Sequence, residues 1–419
     1  PVLVGEGGAW SLVDLTGRSH VRVECLELTD ASSCVEGHPD EGFECPWDED
    51  ADHALTGVFA DGSKDVALVD LHAHGLAAFG VYAADAADWS LEGVVAEGNG
   101  RGGVVVEVAS GEDPWDEEDP WEDDDEDIAL RVEDVVASWN GCAEEPATTA
   151  RFACFQEDGS EDDLFARAGI GLAARVGPWA ARLDRVTATH NALDGILVDA
   201  GQGAAVVDRA RAEGNAGAQL RLDGEVLVTN AVVAGNCALL SQLDAGEWVE
   251  PCFDGGAAVV LEGGEGEIAL ANCTVWGAGE ALLAVEGEPI DECGPSLVAI
   301  NAVLVGAPDE APFFEPPALL ATDCGSLIAQ LDHNVIHGVS EEAEWGCPVS
   351  AGSDLCADPL FDADPGSLEM DLRPPPGSPA INTGLDFGEH DLVPAWDHDG
   401  VVRLLGDGVD RGAYERILF

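Results

Sequence analysis

Twelve carboxylates crowd into residues 112–127, around two Pro-Trp pairs at Trp115 and Trp121. A shorter run, Pro46-Trp47-Asp-Glu-Asp-Ala-Asp52, repeats the theme. Carboxylate oxygens are the hard ligands that Ca²⁺ prefers, which makes Asp48, Asp50, Asp52, Asp116, Asp119, Asp123 and Asp125 candidate calcium ligands. The spacing is not that of an EF-hand, which needs Gly at the sixth loop position and Glu at the twelfth; His53 and Phe59 stand there. The competing reading is a solvated charge run, the usual fate of blocks of like charge. Trp47, Trp115, Trp121, Trp248 and Trp345 fall in polar stretches. Indole faces beside carboxylates suit a sugar, rings for stacking and acids for hydroxyls. The alternative use of each ring is to fold back and close its own loop. His72 and His74 share a strand parity and can present two imidazoles to one metal ion, but the sequence offers no third ligand. With 83 acidic residues, paired carboxylates arise through abundance alone and locate no glycosidase site.

These residues sit in a chain of 419 residues with 83 acidic and 17 basic side chains, a formal net charge of −66. Such a surface repels nucleic-acid phosphate and anionic membranes, so neither is an expected partner. Self-repulsion of this size implies either a saline setting or carboxylates neutralised by Ca²⁺. Large side chains are scarce, with aromatics at 6%, and Gly is abundant at 51. Small and β-branched residues in short runs favour thin stacked strands over helices packed through bulky side chains. No apolar stretch is long enough to span a bilayer.

A repeat organises the middle of the chain. Glu92-Gly-Val-Val-Ala-Glu-Gly-Asn99, Glu133-Asp-Val-Val-Ala-Ser-Trp-Asn140, Asp184-Arg-Val-Thr-Ala-Thr-His-Asn191, Asp208-Arg-Ala-Arg-Ala-Glu-Gly-Asn215 and Thr229-Asn-Ala-Val-Val-Ala-Gly-Asn236 align without gaps. Alternating apolar strands precede them, with one face of each strand turned to a core. Asn tolerates left-handed backbone and suits a sharp corner. Stacked Asn side chains can also bond along a rod as a ladder, so Asn99, Asn140, Asn191, Asn215 and Asn236 are predicted to stack on successive coils. Looser copies occur at 66–75, 267–277, 296–306 and 326–338, and insertions are expected near 31–62, 110–128, 141–167, 240–256 and 306–322. A β-sandwich would also have short strands, but five copies in one register weigh against it.

The twelve cysteines include no CxxC pair. Short separations in polar segments predict loop staples in an oxidising compartment, Cys34 with Cys45, Cys142 with Cys154, Cys237 with Cys252 and Cys347 with Cys356. Strand alignment places Cys293 over Cys324 and predicts a further bond. Cys25 and Cys273 are left over in apolar strands and are expected as buried free thiols.

The last sixty residues carry Asp358-Pro-Leu-Phe361, Asp371-Leu-Arg373, Gly377-Ser-Pro-Ala-Ile-Asn-Thr-Gly384, Asp397-His-Asp-Gly-Val-Val-Arg403 and Val409-Asp-Arg-Gly-Ala-Tyr-Glu415. Their order and spacing resemble the terminal region of bacterial secreted and cell-surface β-helix proteins of the pectate-lyase-like superfamily. The stretch from Trp10 to Leu28 resembles the entry coils of the same superfamily. The resemblance implies an all-β fold, a single right-handed parallel β-helix with flanking loop insertions over residues 1–357 and a C-terminal coil or cap region over 358–419. Pro374, Pro375 and Pro376 cannot donate ladder hydrogen bonds and are expected to stop strand propagation. The chain begins at Pro1 without a signal peptide and ends at Phe419 without an anchor, so it reads as a mature or excised piece of an exported protein.

Fold does not give function. Enzymes of the resembled superfamily need a base near a bound cation, or clustered aspartates with Gly-His-Gly and Arg-Ile-Lys; neither motif occurs, and Lys64 sits in a Gly-Ser-Lys-Asp turn. The expected function is therefore a non-enzymatic extracellular surface or matrix protein, a rigid rod for adhesion through glycans, Ca²⁺ or other surface proteins. Two alternatives stay open: a polysaccharide-active lyase, hydrolase or epimerase on the same scaffold, and a self-associating filament subunit.

Overall fold

A computed structural model of the chain describes residues 1–5, 9–30, 54–109, 128–140, 170–191, 193–215, 217–234, 257–262, 266–277, 281–286, 296–306, 317–322, 328–340, 353–361, 371–386, 392–403 and 408–416. Among the described residues every regular element is a β-strand, so none is a helix long and apolar enough to cross a membrane. The chain divides into two compact units, unit 1 within Pro1–Ala204 and unit 2 from Ala205 onward.

Unit 1 is a parallel β-helix whose coils each contribute a strand to three ladders. The first ladder stacks Val2–Gly5, the end of Ser19–Asp30, the end of Lys64–His74, Val95–Glu97, Val136–Ser138 and Thr187–Thr189. The second stacks Ser11–Asp14, Thr56–Asp61, the start of Phe79–Glu92, Gly102–Val108, Ile170–Arg175 and the start of Ile196–Asp208. The third stacks the starts of Ser19–Asp30 and Lys64–His74, the end of Phe79–Glu92, Ile128–Glu133 and Ala180–Asp184. All of these pairings are parallel, as expected where each strand returns only after a full coil. Two segments expected within insertions, Thr56–Asp61 and Ala318–Thr322, are strands. Gly57 and the Pro316-Pro317 pair interrupt the patterns that would have revealed them.

The period-two alternation fixes what each ladder buries. In the first ladder of unit 1 the inward column is Leu28, Ala73, Ala96, Ala137 and Ala188, all fully buried. Small inward side chains let opposite walls approach closely, which keeps the coil thin.

The repeated asparagines stand beside this ladder. The Asn99 backbone N–H and Nδ2 both donate to Asn140 Oδ1, at 3.1 and 3.0 Å. Asn140 does the same to Asn191 Oδ1, at 3.1 and 2.9 Å. Each Nδ2 also donates backward to an inward alanine, Asn99 to Ala73, Asn140 to Ala96 and Asn191 to Ala137. All three side chains are buried. Glycine on an earlier second-ladder strand makes the room: a Cβ at Gly171, in Ile170–Arg175, would lie 2.5 Å from Asn191 Nδ2.

The repeat-ending asparagines Asn99, Asn140, Asn191 and Asn215 are not the left-handed residues, contrary to the sequence expectation. Positive φ falls on the residue before it, Gly98, Trp139, His190 and Gly214, and on the second repeat position, Gly93, Asp134, Arg185, Arg209 and Asn230. The corner turns one step earlier, and the Asn amide is left to point inward and bond along the stack. In unit 2, Asn215 N–H and Nδ2 donate to Gln219 Oε1 at 3.0 and 2.8 Å. Asn236 lies outside the described residues.

Unit 2 is built on the same plan. Its first ladder stacks Arg211–Glu213, Val232–Ala234, Thr274–Trp276, Val303–Val305, Val335–His337 and Leu355–Cys356. The C-terminal segment lies over the outward side of this ladder: Leu372, Ala380, Ala413 and Tyr414 pack with Val232, Ala234, Trp276, Val303, Val305 and Val335. A buried polar network fastens it. Arg403, fully buried, donates to Asn230 Oδ1 at 2.7 Å and to the Gly412 and Ala413 carbonyls, and pairs with Glu415 at 3.6 Å. Asp397 accepts from the Val401 and Glu415 amides, and Asp410 from those of Asn382 and Arg416. The C-terminal motif residues thus clamp a flank of unit 2 across several coils.

Of the cysteines, Cys356 is disulfide-bonded. Its expected partner Cys347, like Cys34, Cys45, Cys142, Cys154, Cys237, Cys252, Cys293 and Cys324, lies outside the described residues. Cys273 is a buried free thiol, and burial pushes its pKa up to about 12. Cys25 is free but exposed, which corrects the expectation of burial. It occupies the left-handed corner (φ 56°) whose equivalents on later coils are Asp70 and Gly93, so its side chain is turned outward.

Candidate functional site

The outward side of the first ladder differs between the units. In unit 2 its apolar middle, Val232, Ala234, Trp276, Val303, Val305 and Val335, is covered by the C-terminal segment. In unit 1 one outward column reads Glu27, His72, Val95, Val136 and Thr187, and its neighbour reads Thr29, His74, Glu97, Ser138 and Thr189. Most of these side chains are half-buried or exposed. Val95 and Val136 interrupt this face, but imidazole, carboxylate and hydroxyl groups occupy most of its other positions.

The polar groups contact one another across coils. The His72 and His74 rings lie 4.5 Å apart between centroids. His74 Nε2 is 3.1 Å from Glu27 Oε1, and its Nδ1 is 3.5 Å from the Thr29 hydroxyl. His72 Nε2 lies 3.7 Å from Glu97 Oε2, beyond hydrogen-bond reach, and is shielded from solvent without a hydrogen-bond partner. The two histidines that share a parity in the sequence therefore do share a face. Among the described residues no three His, Cys, Asp or Glu side chains are grouped to hold a metal ion.

An aromatic platform borders this face. Trp139 and His190 follow Ser138 and Thr189 directly, and their rings stack at 4.3 Å with an interplanar angle of 8°. Both adopt left-handed backbone, φ 55° and 57°, at a position where other coils carry Gly98 and Gly214. A bulky residue in that region is strained by about 1–3 kcal/mol. On the coil at the other side of Trp139 stands Gly98, where an added Cβ would meet nothing within 4 Å among the described residues. Among the described residues the indole thus has His190 on one face and, toward Gly98, open space. The opposite corner is a structural clamp: Arg185 binds Asp134, Asp184 and Glu133.

Sequence reasoning reached His72 and His74 but passed over Trp139 and His190. Their signal was present, since the seventh repeat position is Gly in three aligned copies and aromatic in these two. The candidate ligands Asp48, Asp50, Asp52, Asp116, Asp119, Asp123 and Asp125, and the candidate stacking residues Trp47, Trp115, Trp121, Trp248 and Trp345, lie outside the described residues.

No family model matches the chain, and no curated protein sequence does. Among solved structures it is similar to pectate lyase Pel9A, at 11% identity over 99% of this chain and 88% of that one, with a TM-score of 0.45. It is also similar to the A-module of the Azotobacter vinelandii mannuronan C-5 epimerase AlgE6, at 11% identity over 80% of each chain, with a TM-score of 0.34.

Proposed function

We propose that the protein is a non-enzymatic extracellular β-helical surface protein, and that the open face of unit 1 binds glycan. One observation carries this reading: Trp139 is held in a strained left-handed conformation, stacked on His190, beside a polar column and above the vacant position at Gly98. Retained strain in a bulky residue points to what its side chain does. An indole face with hydroxyls and carboxylates alongside has the chemistry to recognise a sugar ring, which offers C–H groups on one side and hydroxyls at its edge. The disulfide at Cys356 supports an oxidising, extracellular setting. Calcium at the acidic segments and contacts with other surface proteins belong to the same proposal.

Binding to an immobilised panel of neutral, amino and acidic glycans tests it, with Trp139→Gly as the decisive variant. Glycine is the residue that equivalent corners use, so relief of strain offsets the lost stack of about 0.5–1.5 kcal/mol and the fold should hold. The expected result is lost binding at a nearly unchanged melting temperature. Equal binding by Trp139→Gly and the native protein would remove the proposal.

A second reading, a polysaccharide-active enzyme, draws on the chain Thr29–His74–Glu27. With the proton on Nε2, Thr29 donates to Nδ1 while Nε2 donates to Glu27, the order of a hydroxyl, a base and its orienting acid. The 3.5 Å first contact is long for an activated nucleophile, so this reading ranks second. Product release from any glycan of the panel, abolished by His74→Ala, would promote it.

A further inference from the structure

We infer that the ligand of this face is a glycan bearing free amino groups, a polymer or oligomer of unacetylated hexosamine; the inference rests on the glycan-binding reading above. The face presents two carboxylates, Glu27 and Glu97, Glu27 near His74 and Glu97 near His72 of the adjoining imidazole pair. Beyond the two imidazoles, its own strands bring no Lys or Arg that is not already paired. In Ser19–Asp30, Lys64–His74, Val95–Glu97, Val136–Ser138 and Thr187–Thr189 the Lys and Arg residues are Arg22, paired with Glu24 at 2.6 Å, and Lys64, at the far end of its strand and paired with Asp88 at 3.2 Å. Arg101, in the turn after Asn99, is already engaged. A uronate would therefore bring its carboxylate to a site with acids and no free cation on the strands that form it. A neutral sugar would offer the two carboxylates only hydroxyl donors beside their imidazole neighbours.

An ammonium fits both features of the site. It forms charge-assisted hydrogen bonds with Glu97 and Glu27, stronger than those of a neutral donor. It is also attracted to an indole face, the best of the aromatic surfaces for a cation. The open position at Gly98 directly follows Glu97 in the chain and adjoins Trp139 on the next coil, so both kinds of contact are available to one sugar unit. Successive coils rise by about 4.8 Å, comparable to the advance per residue of an extended sugar chain. A second amino sugar lying along the axis would then reach the coil that carries His74.

The alternative source of such binding is the bulk charge of −66, which attracts any polycation. The test separates the two. Affinities of a glucosamine oligomer, its fully N-acetylated counterpart and a uronate oligomer of equal length are measured by calorimetry at fixed ionic strength. The proteins compared are the native chain, Glu27→Gln with Glu97→Gln, and a control pair of equal charge on another corner, Asp70→Asn with Glu92→Gln. The inference expects the amino oligomer to bind about tenfold or more tighter than the acetylated one, the worth of one charge-assisted hydrogen bond. That preference should collapse in the Glu27/Glu97 pair and persist in the control pair. Equal loss in both pairs would assign the preference to bulk charge and overturn the inference. Tighter binding of the acetylated or uronate oligomer would overturn it while leaving glycan binding at Trp139 intact. If none of the three binds the native chain, the glycan reading fails and the inference with it.

Discussion

A single amide shows how much hydrogen bonding one buried side chain carries in this fold. Asn140 accepts two bonds from Asn99 and donates to Ala96 and to Asn191. Asn140→Ala would leave several buried donors and acceptors unmet, each costing about 1–3 kcal/mol. We expect it to lower the stability of unit 1 by about 3 kcal/mol in urea titration, and Asn140→Asp to do no better, because a carboxylate cannot donate to Ala96 and Asn191. Cys273 gives a residue-scale prediction of opposite character. Its folded pKa, about 12, lies above the ordinary value of 9.0. Between those pH values the unfolded chain releases a proton that the folded chain keeps, so the thiol's contribution is intact below pH 9 and is lost as pH rises toward 12. Alkaline unfolding followed by circular dichroism should therefore shift to higher pH in Cys273→Ala; an unmoved midpoint would show that the thiol is not limiting. Tyr414, also pushed up to about 12 by burial, acts with the same sign and should keep some of the alkaline sensitivity in that variant.

At the scale of elements, the C-terminal segment is the clearest case of non-local construction. Arg403 reaches Asn230, 173 residues earlier in the chain, with no exposure to water. Truncating one partner of a buried ionic pair leaves the other charged and unpaired, at a cost of about 3–5 kcal/mol. Arg403→Met should destabilise unit 2 by that amount, and limited proteolysis should then cut within 371–416 before it cuts the coils. Double replacement of Arg403 and Glu415 by apolar residues should recover part of the loss, because no lone charge is left buried. His398 belongs to the same segment: it donates from Nδ1 to the Asn230 carbonyl at 2.9 Å, and burial lowers its pKa. A depressed histidine favours folding above its ordinary value of 6.5 and loses that contribution as pH falls. The attachment of this segment should therefore weaken on acidification below about pH 6.5.

For the whole molecule, charge is the dominant variable. A net charge of −66 opposes compaction, and screening relieves it as the Debye length falls from about 30 Å at 0.01 M salt to about 3 Å at 1 M. The melting temperature should rise steadily with NaCl over that range. The calcium proposal predicts a separable contribution: at matched ionic strength, millimolar CaCl₂ should raise the melting temperature above its value in EDTA through carboxylates such as those of residues 112–127. A difference of zero would end the calcium proposal and leave screening alone.

The sequence by itself determined the kind of coil. A period-two pattern places alternate residues in a core, and an eight-residue phrase ending in Asn recurs because each coil meets the same demands at the same corner. Those are local requirements, and local pattern reports them. It also put His72 and His74 on one face, since parity alone decides that. Tertiary structure decided which residue bears the left-handed turn, because the amide's bonds to the next coil keep Asn out of it and pass the turn to its predecessor, Gly on some coils and, at a cost in strain, Trp139 or His190 on others. It also placed Cys25 at a corner instead of in the core, turned the C-terminal motifs into a clamp on unit 2, and left the matching face of unit 1 polar. That last distinction depends on what lies across a strand face from chain elements more than a hundred residues away, and spacing along the chain carries no information about such contacts.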